Sequence, residues 1–293
     1  MTHSTVLVVG SLHYDIMVET DYLPRRDETA VGTRWYPKFG GKGGNQAVAA
    51  AGQGVPTRFL GAVGPDDFGR LLTAGLQAGG VDAHFLRQVP GTGSGMSVAL
   101  QDRQGDYAAT IVSGANQWID PIWLQDPDLW DSVGVLVLQN EVPEAVNIAA
   151  ATQARNRAIP VVLNAAPSRP LSKTLQRLVD ILVVNAVEAE MMGATAITCL
   201  TSAVAAAQHL ADGFPCVIVT AGSKGLAVWD ARDTSFQIPA ETVEVVSSHG
   251  AGDAFIGALS AALVTGQTLR AACGAASHAA ALHVSGATPA VRY

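Results

Sequence analysis

The residues whose types and spacing point most clearly to a reaction are Gly250, Ala251, Gly252 and Asp253. They directly precede a long, alanine-rich apolar run. The pattern predicts a tight loop that enters a buried helix from about residue 252 to residue 264. A loop without bulky side chains at a helix N-terminus directs free backbone N–H groups outward and often binds phosphate. Since Asp253 would repel such an anion, we predict that its carboxylate orients a hydroxyl group that attacks the phosphate. The alternative is an ordinary helix start that Asp253 caps.

A second glycine cluster lies in residues 39–51 and again runs from a glycine loop into an alanine-rich helix. Because glycine lacks a β-carbon, a ligand can come into contact with the main chain there. Lys42 and Asn45 add polar groups that can reach such a ligand. The alternative is a tightly packed junction with a solvated lysine. Two such junctions in one chain favour two substrate groups held opposite each other, as a phosphotransferase requires.

Short polar motifs accompany the two clusters along most of the chain. They comprise Gly10-Ser11 with Asp15, Gly64–Gly69, Gln139–Glu141, Asn164–Pro167, Asn185–Glu188 and Thr220–Gly225. In their order and spacing these motifs resemble the ribokinase branch of the PfkB carbohydrate kinase family, and the match runs nearly end to end. The form Gly-Gly-Lys-Gly-Gly-Asn-Gln-Ala at residues 40–47 is typical of that branch.

The resemblance implies an ATP-dependent sugar kinase in which Asp253 is the catalytic base for a primary hydroxyl of the sugar. The backbone amides of Gly250, Ala251 and Gly252 would stabilise charge on the transferring phosphoryl group. An aspartate of ordinary pKa is a weak base, but phosphoryl transfer depends more on positioning than on early proton removal. The residues that the resemblance assigns to the sugar are His13, Asp15, Gly41, Lys42, Asn45 and Glu141.

Asn185 and Glu188 match the family's Asn-x-x-Glu motif. The resemblance implies that this motif holds Mg²⁺, through water, beside the phosphates of ATP. The alternative is a capping pair at the entry to a helix, because the two residues have the spacing of a capping box.

The resemblance also assigns a group of residues to the nucleotide itself: Asn185, Thr220, Gly222, Ser223, Gly225 and His278. For the segment 220–225, the alternative is a plain β-turn between strands at residues 217–220 and 226–230. For His278, which would lie near the adenine, a buried core histidine is an equal alternative.

Three positions depart from the family's pattern. His13 stands where ribokinases carry asparagine, and its larger ring predicts a tighter pocket or a different acceptor. Ser247 replaces the aspartate that helps to form a monovalent-cation site in ribokinases, which puts activation by potassium in doubt. The sequence given ends at Tyr293, and we expect it to lack the final helix seen in the family.

The elements that must position these residues alternate along the chain. Short β-branched runs predict buried strands at residues 5–9, 57–60, 133–138, 160–163, 181–184 and 217–220. Alanine-rich segments predict helices at residues 44–52, 67–78, 143–157, 186–193 and 201–211. The alternation indicates an α/β fold with a mainly parallel sheet and helices on both faces, the three-layer arrangement of ribokinase-like proteins. Ligands in such folds bind beyond the carboxyl ends of the strands, where several of the motifs fall.

Two segments break the alternation, residues 14–38 and 95–112, and their partly alternating patterns predict a small β lid outside the main sheet. In the second segment, residues 102–105 predict a hairpin turn. The main nucleotide- and substrate-binding domain then comprises residues 1–13, 39–94 and 113–293. The resemblance implies that the lid covers the sugar and can support a homodimer.

Composition argues against several other classes of protein. The net charge of −7 disfavours nucleic-acid binding, which needs a basic surface. Cys199, Cys216 and Cys273 lack metal-like spacing and predict reduced, buried thiols. The sequence shows no membrane-spanning run and no export signal at its start, so we expect a cytoplasmic protein without a membrane partner.

The leading functional hypothesis is phosphorylation of D-ribose to ribose 5-phosphate with ATP and Mg²⁺. His13 keeps open a kinase of the same fold that acts on a nucleoside, deoxyribose or another sugar. A non-catalytic sugar or nucleotide sensor is disfavoured, because Asp253 and the glycine loop before it are both present.

Overall fold

The structure is a computed structural model that describes residues 4–104, 107–232 and 235–287. The strands in these ranges are β1 (Thr5–Val9), β2 (His13–Thr20), β3 (Gly32–Gly40), β4 (Thr57–Val63), β5 (Asp82–Gln88), β6 (Met96–Gln101), β7 (Tyr107–Val112), β8 (Val133–Gln139), β9 (Val161–Asn164), β10 (Ile181–Asn185), β11 (Cys216–Thr220), β12 (Leu226–Asp230) and β13 (Phe236–Ile238). They form two separate sheets.

The larger sheet of the described chain has nine strands in the order β13-β12-β11-β10-β9-β8-β1-β4-β5. Neighbouring strands from β11 to β5 are parallel. β12 and β13 add an antiparallel edge beyond β11. The smaller sheet has the order β3-β2-β6-β7, and its β6 and β7 form the hairpin expected in the second lid segment. Gly105, at the predicted turn of that hairpin, lies outside the described residues, as do residues 288–293 at the predicted short C-terminus.

The helices are α1 (Lys42–Ala51), α2 (Asp67–Ala78), α3 (Glu144–Arg155), α4 (Lys173–Gln176), α5 (Ala186–Met191), α6 (Leu200–Leu210), α7 (Ala251–Val264) and α8 (Leu269–Val284). Buried side chains of α1, α2, α7 and α8 pack on one face of the large sheet. Those of α3, α4, α5 and α6 pack on the other face. In the described ranges, no helix combines the length and the apolar character that crossing a membrane requires.

The strand β1 shows why both faces are covered. Leu7 and Val9 point into one hydrophobic core, and Val6 and Val8 point into the other. A strand buried on both sides reads as a continuous apolar run, which is the pattern that predicted it. The predicted α/β class, with a mainly parallel sheet, helices on both faces and a small second sheet, is confirmed.

Element boundaries were predicted less well than element types. The helix α2 has the predicted bounds, but α1 begins at Lys42 instead of residue 44. The edge strand β5 was missed because only Phe85 of its side chains is fully buried and its sequence shows no apolar run. Three short 3-10 helices, Gly114–Trp118, Pro121–Gln125 and Pro127–Trp130, were also missed.

The cysteines correct one expectation. Cys216 and Cys273 are buried, but Cys199 is exposed at the start of α6, so the prediction of three buried thiols is wrong. Cys199 stands outside the first turn of the helix, where its side chain faces solvent. Hydrogen bonds from Ser202, first that from its backbone N–H, lower the pKa of the Cys199 thiol to about 7.

Candidate active site

Polar residues of the predicted site lie together at the carboxyl ends of the central strands. Gln139 ends β8, Asn164 ends β9 and Asn185 ends β10. The strand register places Gln139 beside Asn164, and Asn185 beside Thr220 of β11. Since parallel strands end at the same edge of a sheet, these side chains share one rim, where ligands of such folds bind.

Asp253 lies in the first turn of α7 and is only 9% exposed. Its Oδ1 accepts a hydrogen bond from Gln46 Nε2 at 2.9 Å, and its Oδ2 accepts one from Asn45 Nδ2 at 3.2 Å. Gln46 Nε2 also donates to Asn164 Oδ1 at 3.1 Å. Both carboxylate oxygens are therefore held by α1, which fixes the orientation of the acid at the rim.

The close approach of α1 and α7 makes these bonds possible. A Cβ atom at Gly257 would lie 2.5 Å from Ala49 Cβ and 2.6 Å from Ala50 N, so only glycine fits. Gly257 lies one turn after Asp253, and the two alanines lie one turn after the amides that bind it. The small residues of both helices thus bring the carboxylate within hydrogen-bonding distance of α1.

Asp253 and Lys42 line the same cavity, together with Gly250, Gly252 and Glu188. The carboxylate is largely buried in the protein but remains at the wall of this cleft. The structure therefore brings the two glycine clusters of the sequence to one cavity.

The loop before α7 leaves several backbone donors free. Gly250 has a left-handed φ of 86°, which glycine adopts without the strain that a side chain would cause. Within the described chain, the N–H groups of Gly250, Gly252 and Asp253 donate to no protein acceptor, whereas Ala251 N donates to Ser248 O at 3.3 Å. Two of the three predicted donors are thus free, and Ala251 is engaged in the turn. A helix start with free N–H groups beside a cavity can bind an anion.

The environment of Asp253 raises the pKa of its carboxyl group. Burial is the main cause, and the charge of Glu141 acts in the same direction. The positive charge of Lys42 and the hydrogen bonds from Gln46 and Asn45 oppose this rise. A carboxylate with a raised pKa is a better proton acceptor than an exposed aspartate.

The substitution Lys42→Met tests this balance of charges. Because Lys42 lowers the pKa of Asp253, its loss should move the acid limb of the kcat/KM profile to higher pH, in addition to any loss of rate. The measurement is kcat/KM as a function of pH, with Lys173→Met on the exposed start of α4 as the matched control. An acid limb that stays in place or moves to lower pH would contradict this electrostatic role.

Asn185 and Glu188 form a capping box at the start of α5. Asn185 Oδ1 accepts from Glu188 N at 2.8 Å, and Glu188 Oε2 accepts from Asn185 N at 2.9 Å. The capping alternative is therefore realised, but both side chains also line the cavity that contains Asp253. Burial raises the pKa of Glu188, while the Asn185 N–H and the charge of Lys42 oppose this.

The donor set near Glu188 is sparse. In the part of the chain that the structure describes, no group of three or more His, Cys, Asp or Glu side chains could hold a metal ion. Mg²⁺ keeps several waters and commonly binds through one or two carboxylates together with substrate phosphates. Glu188 uses Oε2 in the capping box, so its other oxygen remains for a water of such an ion. The residues present therefore fit Mg²⁺ carried by a nucleotide better than an all-protein metal site.

Glu141 connects the start of α1 to the segment between β1 and β2. Its Oε2 accepts hydrogen bonds from Ser11 Oγ at 2.5 Å and from Lys42 N at 2.8 Å. His13 Nδ1 lies 3.9 Å from the same oxygen. His13 is 4% exposed, and its Nε2 is buried without a hydrogen-bond partner among the described residues. Because an unpaired buried polar atom is costly, this nitrogen suits a polar group of a ligand.

Gly41 connects this region to α1. It precedes the helix with a φ of 85°, and a Cβ atom there would lie 2.7 Å from His13 N. The glycine therefore lets the start of α1, including Lys42, pack directly against the backbone of residues 11–13.

Asp15, on β2, is held by residues of the neighbouring lid strands. Its Oδ1 accepts a hydrogen bond from Ser97 Oγ at 2.5 Å, and Lys38 is its cross-strand partner on β3. Burial raises the pKa of Asp15, opposed by the Ser97 bond and by the charges of His13 and Lys38. Burial also lowers the pKa of Lys38, which both Asp15 and Asp253 counteract. Sequence reasoning missed Ser97 and Lys38, because only the strand register brings them to Asp15.

A second cavity, of about 390 Å³, is bordered by the turn between β11 and β12. Its walls share Thr220, Gly252 and Phe255 with the cavity of Asp253. The predicted nucleotide residues Gly222, Ser223 and Gly225 also line it. The segment 220–225 is therefore both a turn between antiparallel strands and a cavity wall.

His278, on α8, does not line this cavity. Its Nδ1 lies 3.0 Å from both carboxylate oxygens of Glu241, and its side chain is 57% exposed. The alternative of a buried core histidine is wrong, because this face of α8 is turned to solvent. Glu241 itself lines the cavity, so His278 contacts a lining residue without lining the cavity itself.

The three-layer fold, the free amide donors at a helix start and the buried carboxylate beside them together define a site of the phosphotransferase class. The sequence model of the pfkB family carbohydrate kinases matches residues 3–290. The chain therefore belongs to this family and is a phosphotransferase with an alcohol group as acceptor.

Similar proteins support this assignment over nearly the whole chain. Ribokinase of Bacillus subtilis is 34% identical over 280 residues, which cover 95% of this chain and 92% of the relative. Deoxyribokinase of Salmonella typhi is 33% identical, and the match covers 96% of this chain and 92% of the relative. A solved structure of Arabidopsis thaliana ribokinase, complexed with ribose and ATP, has a TM-score of 0.90 at 29% identity and covers 98% of this chain and 94% of that one.

Proposed function

We propose that this carbohydrate kinase transfers the terminal phosphoryl group of ATP to the primary hydroxyl of a pentose, with D-ribose as the preferred acceptor. The observation that carries the proposal is the cavity lined by Asp253, Lys42, Gly250 and Gly252, of which the two glycines have N–H groups without a protein acceptor in the described chain. Such a cavity can hold an attacking hydroxyl and a terminal phosphate side by side. The B. subtilis and A. thaliana ribokinases support the choice of acceptor.

In this mechanism, Asp253 accepts the proton of the attacking hydroxyl. Asn45 and Gln46 keep the carboxylate in one orientation through their bonds to its two oxygens. Burial raises the pKa of Asp253, which strengthens it as a base, while the charge of Lys42 opposes this rise. Positioning of the hydroxyl contributes more than early proton removal, because the transition state of phosphoryl transfer is loose.

The free N–H groups of Gly250 and Gly252 stabilise negative charge on the phosphoryl oxygens, and the helix dipole of α7 adds to this. Mg²⁺ that enters with the nucleotide would supply positive charge to offset that of the phosphates. Glu188 and Asn185 would hold its waters from the wall of the same cavity. The adjoining cavity beside Gly222, Ser223 and Gly225 would take the rest of the nucleotide.

On the acceptor side, Asp15 and Glu141 offer carboxylate oxygens that suit vicinal hydroxyls of a sugar. His13 Nε2, which is buried and unpaired among the described residues, would bond one further hydroxyl. Lys38 and Ser97 would act indirectly, because they set the charge and the orientation of Asp15. The second candidate acceptor is deoxyribose, which the likeness to Salmonella typhi deoxyribokinase supports.

An assay of ADP release over a panel of pentoses, hexoses and nucleosides tests the proposal. We expect the highest kcat/KM with D-ribose and none with sugars that lack a free primary hydroxyl. A higher kcat/KM with deoxyribose or a nucleoside would replace ribose as the acceptor. Sugar binding without turnover of any acceptor would contradict the kinase mechanism and favour a sensor.

The potassium requirement, the oligomeric state and the location of the protein belong to the same proposal. Turnover does not require potassium, because Ser247 offers no carboxylate for a cation; the assay in potassium-free buffer checks this.

Exposed Trp35 and Ile111 on the small sheet support a homodimer through the lid formed by residues 14–38 and 95–112. The three free cysteines fit a reducing compartment, and we propose a cytoplasmic location.

A further inference from the structure

The loop that precedes α7 is attached to the end of α8 by three hydrogen bonds. Val246 N and Ser247 N both donate to Val284 O, at 2.8 and 3.2 Å. His283 Nε2 lies 2.9 Å from His249 O. Because a carbonyl oxygen can only accept, Nε2 of His283 must carry the hydrogen of this bond. Of the three bonds, the one from His283 is made by a side chain. It holds the carbonyl group of His249, the residue directly before Gly250.

The bonded carbonyl and the N–H of Gly250 belong to the same peptide unit. This unit is planar and trans, so its C=O and N–H point in opposite directions. Because His283 on α8 holds the His249 carbonyl, the Gly250 N–H points away from α8. Gly250 itself lines the cavity that contains Asp253. Without a fixed carbonyl, a peptide that ends in glycine could rotate at little cost.

The ring of His283 also fits against Gly250. A Cβ atom at Gly250 would lie 2.8 Å from His283 Nε2, so ring and glycine occupy adjacent space without a gap for a larger residue. The N–H of His249 is held as well, because it donates to Ser247 Oγ at 3.3 Å. Residue 249 is thus fixed at both its N–H and its C=O.

We propose that His283 is a positioning residue for phosphoryl transfer, which holds the His249 carbonyl and thereby aims the Gly250 N–H at the terminal phosphate. The role rests on the proposed function of the loop as the phosphate-binding element. His283 does not touch the substrate. Its loss would misdirect a donor that matters most in the transition state, so it would affect kcat more than the KM of the sugar.

Three substitutions at this position separate hydrogen bonding from packing. In His283→Gln, the amide nitrogen lies as many bonds from Cα as Nε2 of histidine and can replace the donor. His283→Asn offers the same amide one bond too short, and His283→Ala removes it. His209→Ala, at an exposed histidine of α6, is the matched control. We expect His283→Asn and His283→Ala to lower kcat by about 10- to 100-fold, and His283→Gln to restore most of it.

The binding of ADP with aluminium fluoride, which mimics the transferring phosphoryl group, gives a readout that does not require turnover. We expect His283→Ala and His283→Asn to lose affinity for this complex and to keep their affinity for ADP alone. Equal binding by all variants would overturn the proposal, as would a His283→Gln enzyme that is as slow as His283→Asn with an unchanged Tm. If the wild-type chain turned over no acceptor, the proposed function would fail, and the fluoride complex would still decide the role of His283.

Discussion

The substitution Asp253→Asn is expected to lower kcat by about 10²- to 10⁴-fold, the usual contribution of a positioned acid or base. Asparagine has nearly the same shape but cannot accept a proton from the attacking hydroxyl. It also offers one acceptor oxygen to the two amides, Asn45 and Gln46, that now bind both carboxylate oxygens. The affinity for ATP, measured by calorimetry, should stay nearly unchanged, because the backbone donors of the loop are retained.

The control for this experiment is Asp230→Asn, which makes the same change at another buried aspartate. Asp230 is 7% exposed, lies on β12 and pairs with Arg232 at 3.3 Å, away from the cleft. We expect its kcat to match that of the wild type. An Asp253→Asn enzyme with near-normal kcat would remove Asp253 from the mechanism, whatever the affinity for ATP.

The sequence located the two halves of this site but not the network between them. The glycine clusters around Lys42 and Gly250 stand out because glycine lets the backbone adopt a left-handed turn and lets a ligand approach the main chain. Gln46, which binds Asp253 directly, was not assigned to the site. With the helix start at Lys42 rather than residue 44, Lys42, Asn45 and Gln46 have the spacing of one helix face. A prediction that α1 starts at Lys42 would have pointed to Gln46 as a residue of the site.

Residues that reach the site through strand pairing could not be found in the same way. Lys38 and Ser97 flank Asp15 only because of the register of β2 with β3 and β6. Register depends on which strands pair, and sequence periodicity gives the face of a strand but not its partner. His283 was missed for a related reason, since its bond to His249 joins residues that only the packing of α8 brings together.

The two predicted roles of Asn185 and Glu188, a capping box and a site for Mg²⁺, do not exclude each other. The two side chains form a capping box and also line the cavity of Asp253. Motif spacing alone cannot separate these uses, because a helix start at a strand end satisfies both. The burial that raises the pKa of Glu188 arises from this shared position at the rim.

The substitution Gly252→Ala is expected to raise stability and lower activity at the same time. Gly252 is in the first turn of α7, and a Cβ atom there would meet no protein atom within 4 Å. Alanine in a helix is more favourable than glycine by about 0.5–1 kcal/mol, so Tm should rise. The new methyl group would instead occupy open space at a residue that lines both cavities and hinder the approach of phosphate to the N–H of residue 252. We expect kcat to fall by about 10²- to 10³-fold, as on loss of one donor to a developing anion.

Gly274→Ala on α8 is the matched control, because a Cβ atom there also meets no protein atom within 4 Å and Gly274 lines neither cavity. It should show the same gain in Tm with unchanged kcat. Thermal unfolding and ADP release of the two variants, measured side by side, separate helix propensity from phosphate access. If Gly252→Ala kept the activity of Gly274→Ala, the terminal phosphate would have to bind elsewhere, and the start of α7 would lose its assigned role.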